Sequence, residues 1–343
     1  MHAPDMHAPE MLLALILMGS LTLYVLLGGA DYGGGVWDLL SSGPRRQEQR
    51  ELISNAITPV WEANHVWLVL VVVLLFAGFP AAFAAITTAL NIPLTVLIIG
   101  IVMRGSSFVF RAYHTGDYRT QRRWGLTFAI ASTITPICLG VVVGAMSSGR
   151  VLVRDGVSVN GFLAPWLGTF PLMVGLFALS LFVFLAAVYL TVEARDPALQ
   201  EDFRRKALVS GVIVALMAIG TFLAARTGAP DIYAGLLRPS LVWIVQGATA
   251  AYAIGAFVAL LKRKYKVARA AAMLQVALIL WGWGLSQFPF FLQGEMTVSE
   301  AAAAPPVLWA LIGATLAGLL VLFPSIWYMM QTFKANNEDI PLH

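Results

Sequence analysis

The sequence predicts an all-α fold that crosses a membrane many times, and three observations lead there. Of the 343 residues, 59% are hydrophobic and only 12% charged, against about 25% charged in a soluble domain. Apolar runs of about 20 residues recur along the whole length. A backbone in lipid must satisfy its own hydrogen bonds, which leaves helices or a closed barrel. The runs are about twice as long as a barrel strand needs. The chain therefore reads as a single integral membrane domain, 1–343.

Nine spans are predicted, roughly at 11–38, 56–78, 81–112, 124–146, 166–191, 207–225, 240–261, 270–290 and 306–330. Basic residues separate them on alternate sides. Arg45, Arg46 and Arg50 follow the first span, and Arg111, Arg119, Arg122 and Arg123 lie between the third and fourth. Arg195, Arg204, Arg205 and Lys206 lie between the fifth and sixth, and a run from Lys262 to Arg269 lies between the seventh and eighth. With Lys334 these make 17 of the 22 Lys and Arg. The opposite loops hold four (Arg150, Arg154, Arg226, Arg238), and Arg104 lies within a span. The excess of basic residues marks the cytoplasmic side, so the N-terminus is expected outside and the C-terminus in the cytoplasm. Trp37, Trp124, Trp166 and Trp327 near span ends suit interface anchors. Residues 1–10 hold no Lys or Arg, so the basic start of a signal peptide is missing.

Most connections are short, so neighbouring helices should pack antiparallel. The longer loop at 147–165 faces outward. The helices divide into two groups of four plus one extra, with no evident internal repeat. No soluble part is large enough for a nucleotide site. The net charge of +4 resides in the loops and gives no sign of nucleic acid as a partner. The single cysteine, Cys138, cannot form an internal disulfide. The Met329–Met330 pair carries no metal motif, and no metal site is expected.

Three clusters could carry chemistry. The first is Gly28-Gly29-Ala30-Asp31-Tyr32-Gly33-Gly34-Gly35, in which Gly29 and Gly33 have the small-xxx-small spacing of membrane helix packing. The second runs from Thr58 to Leu68. On a helix, Trp61, Asn64, His65 and Leu68 share a face, and Glu62 is one turn from His65. The third is Arg104-Gly105-Ser106-Ser107. Asp31, Glu62 and Arg104 each fall six or seven residues inside their span, roughly 10 Å from the cytoplasmic boundary at 1.5 Å rise per residue. Charges at membrane depth are costly and usually mark an ion or proton path. Arg104 could neutralise one of the two carboxylates, leaving the other to take up a proton from the cytoplasm.

A plainer reading stays open. Residues 11–29, 58–78 and 82–103 could each span alone. Pro59 and Glu62 would then open a helix, and all three charges would be interface residues. Against it, Val36-Trp37-Asp38-Leu39-Leu40 and Phe108-Val109-Phe110 stay largely apolar beyond the charges. His65 could ligate a haem iron, but as a lone His in a polar stripe it suits a hydrogen bond better.

These clusters resemble subunit II of the cytochrome bd-type quinol oxidases, the group that includes the cyanide-insensitive oxidases. The resemblance spans the nine-helix layout. It is specific in the Gly-Ala-Asp31-Tyr-Gly-Gly-Gly turn, in Pro59-Val-Trp61-Glu62-Ala-Asn64-His65-Val-Trp67-Leu68, and in Arg104-Gly-Ser-Ser-Phe-Val-Phe-Arg111. It implies a partner subunit I that carries haem b and haem d, while this chain carries neither haem ligands nor catalytic residues. A small third subunit, bound lipid and bound quinone stay open. The complex would oxidise quinol and reduce oxygen to water, generating proton-motive force without pumping, in the bacterial inner (cytoplasmic) membrane. This chain would stabilise subunit I and conduct protons inward through Asp31 and Glu62. Trp61, Asn64, His65 and Arg104 would support them. Two departures matter: Gly28 and Val109 stand where many members have acids. The competing function is a proton-coupled secondary transporter, which would work as a single colourless chain. A purely structural partner, with the three charges as an ion-paired network, is the third.

Overall fold

The computed structural model describes residues 7–57, 61–113, 118–239 and 242–338. The side chains of 61–63, 111–113, 118, 121, 242, 326, 327 and 329 onward lie outside that description. The described chain is helical apart from two small hairpins, Val153–Arg154 with Val157–Ser158 and Phe290–Leu292 with Met296–Thr297. Among the described residues eight helices are long and apolar enough to cross a membrane, and a bent pair supplies a ninth candidate.

Helix α1 (Ala8–Leu40) has 33 residues, about 50 Å of helix against a hydrocarbon core of about 30 Å. Its second half is covered by protein, since Asp31 to Asp38 are all buried. Part of that cover is α2 (Arg46–Ile57), which lies where the sequence suggests only a loop. Gln49, Ile53 and Ile57 recur at four-residue spacing and make its buried face.

The predicted span at 81–112 differs most from the structure. Helix α3 (Trp61–Gly78) is followed by α4 (Pro80–Ala89), bent from it by 112°. The spanning helix α5 (Asn91–Tyr113) starts only after a second break at Leu90. The bend has local causes. Pro80, at the start of α4, has no N–H to continue the α3 ladder. The Gly78 carbonyl, at the end of α3, accepts from Ala303 N at 2.9 Å. Phe79 at the corner is wholly buried against Phe291, with ring centroids 5.1 Å apart.

The remaining helices are α6 (Tyr118–Ser147), α7 (Thr169–Glu193), α8 (Pro197–Gly228), the short α9 (Pro230–Leu236), α10 (Gly247–Leu261), α11 (Tyr265–Gln287) and α12 (Pro305–Glu338). A five-residue π turn, Val242–Gln246, leads into α10. Helix α1 packs on α3, α6, α7 and α12, and α7 also packs on α6, α8 and α11.

The basic loops are tied together at one end. Arg45 pairs with Asp202 at 2.5 Å, while Arg263 pairs with Glu201 and Arg269 with Glu193, each at 3.5 Å. At the other end Arg154 pairs with Glu295, and Ser299 Oγ donates to Glu10 at 2.6 Å. A single turn of helix, Val298–Ala301, is capped there by Thr297. The Thr297 N–H and hydroxyl hold the Glu300 carboxyl below its usual range.

Candidate functional site

The glycine run of α1 is where other helices come closest. Gly33 has no room for a β-carbon, because the Phe182 carbonyl oxygen of α7 occupies that place. At Gly35 the occupant is the Ser132 hydroxyl of α6. At Gly34 it is the Ile57 side chain of α2, and at Gly29 the Phe182 ring. Glycine at these four positions therefore draws three helices onto one segment of α1 and seals it from lipid.

Asp31 sits inside that sealed segment, 4% exposed. Asn64 of α3 donates from Nδ2 to Asp31 Oδ2 at 2.5 Å and to the Leu27 carbonyl at 3.4 Å. A buried carboxylate needs such donors, because desolvation without them costs several kcal/mol. Arg104 of α5 is 2% exposed and lies between two rings, with Cζ 4.6 Å from the Tyr32 centroid and 5.2 Å from that of Phe128. Its Nε donates to Ser132 Oγ at 3.3 Å. No direct ion pair joins Arg104 to Asp31, although the two interact electrostatically. The guanidinium is held by aromatic faces and a hydroxyl, and acts on the carboxylate at a distance.

The structure thus brings Asp31, Asn64 and Arg104 together from three helices. His65 is half-buried on α3 and engaged in an interaction of its own. Trp61 and Glu62 occupy the first turn of α3, with side chains outside the described residues. At Gly28 the space is taken by the Tyr24 ring, 3.0 Å from where a β-carbon would stand. The Tyr24 and Tyr32 hydroxyls are 3.1 Å apart. Val109 is 40% exposed.

Several participants had no prominence in the sequence. Tyr24, Tyr32 and Ser132 are neutral residues whose roles arise from helix crossings. Asp38 had a usable signal, since it lies seven residues after Asp31 and so on the same face of α1.

A second feature lies on the far side of Tyr24. A cavity of about 550 Å³ opens among α1, α6, α7, α8, α10 and α11, lined by Leu139, Phe177, Phe182, Ala218, Phe257 and Ile279 among others. Its few polar side chains include Tyr24, Gln246, Thr249 and Gln275, and its lining holds no His, Cys or Met. Of the side chains that ligate haem iron the lining holds the Tyr24 phenol, which is hydrogen-bonded to Tyr32. Among the described residues no three His, Cys, Asp or Glu side chains converge as metal ligands.

Comparison with known proteins decides the family. The family described as cytochrome bd terminal oxidase subunit II matches residues 9–333. The chain belongs to that family. It is therefore a membrane subunit of a cytochrome bd terminal oxidase, an oxidoreductase complex of respiratory electron transport. Among cytochrome bd subunits II, the putative menaquinol oxidase subunit II of Bacillus subtilis is 24% identical over 340 residues, covering 95% of both chains. The bd-I ubiquinol oxidase subunit 2 of Escherichia coli K12 is 25% identical over 183 residues, covering 52% of this chain and 46% of its own length. A chain of the bd oxidase structure from Geobacillus thermodenitrificans superposes with a TM-score of 0.79 at 24% identity, covering 95% of this chain and 99% of that one. This likeness shows the shared helical membrane fold.

Proposed function

We propose that this chain is the second subunit of a quinol-oxidising bd complex, and that it stabilises a haem-bearing subunit I and conducts protons towards it. The observation that carries the proton role is the Asp31–Asn64–Arg104 network. It is a carboxylate, an amide and a guanidinium buried together beneath the basic loops. Burial of a charge at such a place is costly and, in a membrane helix bundle, points to ion or proton traffic. By the positive-inside rule those loops are cytoplasmic, so Asp31 is placed to receive protons from the cytoplasm. The N-terminus then lies outside and the C-terminus in the cytoplasm of a bacterium. Glu62, on the first turn of α3, is the second proton-transfer group in this reading, with Trp61 and His65 as supporting residues. The haems and the quinol reaction belong to subunit I. What this chain supplies is a set of donors that hold a buried carboxylate where a proton can reach it.

The test is purification of the tagged chain from its native membrane in mild detergent, followed by a reduced-minus-oxidised visible spectrum. Haem bands together with a second, larger membrane chain are expected. Oxygen consumption per haem should then fall by roughly tenfold or more in Asp31→Asn and in Glu62→Gln, with the spectrum unchanged. A colourless protein that purifies alone would overturn this reading in favour of a single-chain proton-coupled transporter.

A further inference from the structure

Asp38 is a further buried carboxylate of α1, 2% exposed, besides Glu10 and Asp31, and the hydrogen bonds that join Asp31 to Asn64 and Arg104 to Ser132 do not include it. It stands two helical turns from Asp31, about 10 Å along the axis on the same face and nearer the basic loops. Arg50 of α2 covers it. Arg50 Nε lies 3.5 Å from Asp38 Oδ1, and Nε and Nη2 both donate to the Asp38 carbonyl at 3.3 Å. The Arg50 side chain is 31% exposed. Asp38 is thus a buried carboxylate next to a cation that reaches solvent.

The ground between the two carboxylates is specific. Gly35 lies on the same face, four residues after Asp31 and three before Asp38. The place of its missing β-carbon is filled by the Ser132 hydroxyl. Ser132 has no exposure at all. Its oxygen accepts from Arg104 Nε, which leaves the hydroxyl its own hydrogen and a second lone pair. Close by in the sequence and on the same helix as Arg104, Ser107 Oγ is buried without a hydrogen-bond partner among the described residues, and so is Arg104 Nη2. Buried donors of this kind are nearly always satisfied, and where protein does not do so, internal water does.

We infer that Asp38, Ser132 and Asp31 form a proton relay along one face of α1, completed by internal water. It rests on the proton-conducting role proposed above. A proton taken up on the Asp38 carboxylate leaves it through water to Ser132 Oγ. As that oxygen accepts, its own hydrogen moves on towards the Asp31 carboxylate, and the hydroxyl then turns back. No electrons move and no covalent intermediate forms. Gly35 is the device that lets a hydroxyl from another helix stand between two carboxylates of the same helix. Arg50, which reaches solvent, lies over the first carboxylate beneath the loops.

The relay is tested in the assembled oxidase, subunit I included, reconstituted in lipid and supplied with quinol. Oxygen consumption per haem is measured in water and in deuterium oxide. Asp38→Asn and Ser132→Ala should each slow turnover roughly tenfold or more and raise the solvent isotope effect, with the haem spectrum intact. Asp38→Glu should restore most of the rate. Asp31→Asn runs in parallel. If it is slow while Asp38→Asn or Ser132→Ala turns over like the wild type, the relay is overturned and the proton role of Asp31 stands. If all three match the wild type, both fall. Should Asp38→Asn fail to assemble, Ser132→Ala, which removes a single oxygen, decides alone.

Discussion

Two regions meet at Tyr24 and differ in almost every physical respect. On one side the segment Gly28–Asp38 of α1 is packed against α2, α6 and α7, with charges held by an amide of α3, two rings and a hydroxyl. On the side of α8, α10 and α11 lies an apolar cavity of about 550 Å³. The Tyr24 hydroxyl meets Tyr32 and the first region, while its ring lines the second. Both regions are helices of similar length and apolarity, so fold does not separate them. What separates them is how closely the neighbouring helices approach: onto the glycines of α1 on one side, and around an open apolar space on the other. A closed crossing excludes lipid and can keep a charge. An open one of this size offers room to an apolar chain and would leave a charge without partners.

The comparison is broken most severely by opening the closed side. Gly33→Val would drive a branched side chain into the Phe182 carbonyl of α7, which is backbone within a helix and cannot step aside. The expected cost is about 3 kcal/mol or more. The assembled complex should be lost from detergent gel filtration. Gly125→Ala, where nothing lies within 4 Å of an added β-carbon, should leave the elution profile unchanged. Equal behaviour of the two variants would mean that the α1–α7 crossing does not organise the region.

How far this region is legible in the sequence depends on the kind of interaction. Asp31 and Arg104 stand out because a charge in an apolar run is rare, and their common depth follows from the helical rise alone. Asn64 is found by the same count along α3. The spacing of Gly29 and Gly33 announces a close crossing, but the partner, Phe182, is fixed by how α7 lies against α1 and leaves no trace in α1 itself. Ser132 is in the same position, an ordinary serine in an apolar run until Gly35 receives it. The break at Gly78-Phe79-Pro80 falls between the predicted spans 56–78 and 81–112, but the second break at Leu90, which sets α4 apart from α5, does not show because hydropathy continues across it. A span is recognised by hydropathy, whereas a corner is made by one missing N–H and one buried ring. Helix α2 is hidden for the opposite reason, being too polar overall to register as a span while burying only Gln49, Ile53 and Ile57.

A milder intervention sharpens the polar side. Asn64→Leu keeps the side-chain size but removes the 2.5 Å donor to Asp31, leaving the carboxylate desolvated with one fewer partner. Loss of about 1–3 kcal/mol is expected, read as a lowered melting temperature of the assembled complex, together with slower oxygen consumption per haem. Asn64→Ser, which keeps a donor on a shorter arm, should recover part of both. If Asn64→Leu melts and turns over like the wild type, the hydrogen bond does not support Asp31, and Arg104 with its aromatic cradle must suffice.

The smallest effect is expected across Tyr24, in the cavity. Ala218→Leu adds three carbons to a wall that already holds Leu139, Phe177 and Ile279. Filling apolar space with apolar atoms removes no hydrogen bond and strands no charge. Stability should therefore change by no more than about 1 kcal/mol, with a gain if the leucine fits. Oxygen consumption per haem should stay at the wild-type level. A fall of several-fold with the complex intact would show that the open region serves turnover through whatever apolar chain occupies it, and the division of labour at Tyr24 would have to be abandoned. An unchanged rate beside a slow Asn64→Leu would place the chemistry on one side of a single tyrosine ring, because only that side can hold a charge within the membrane.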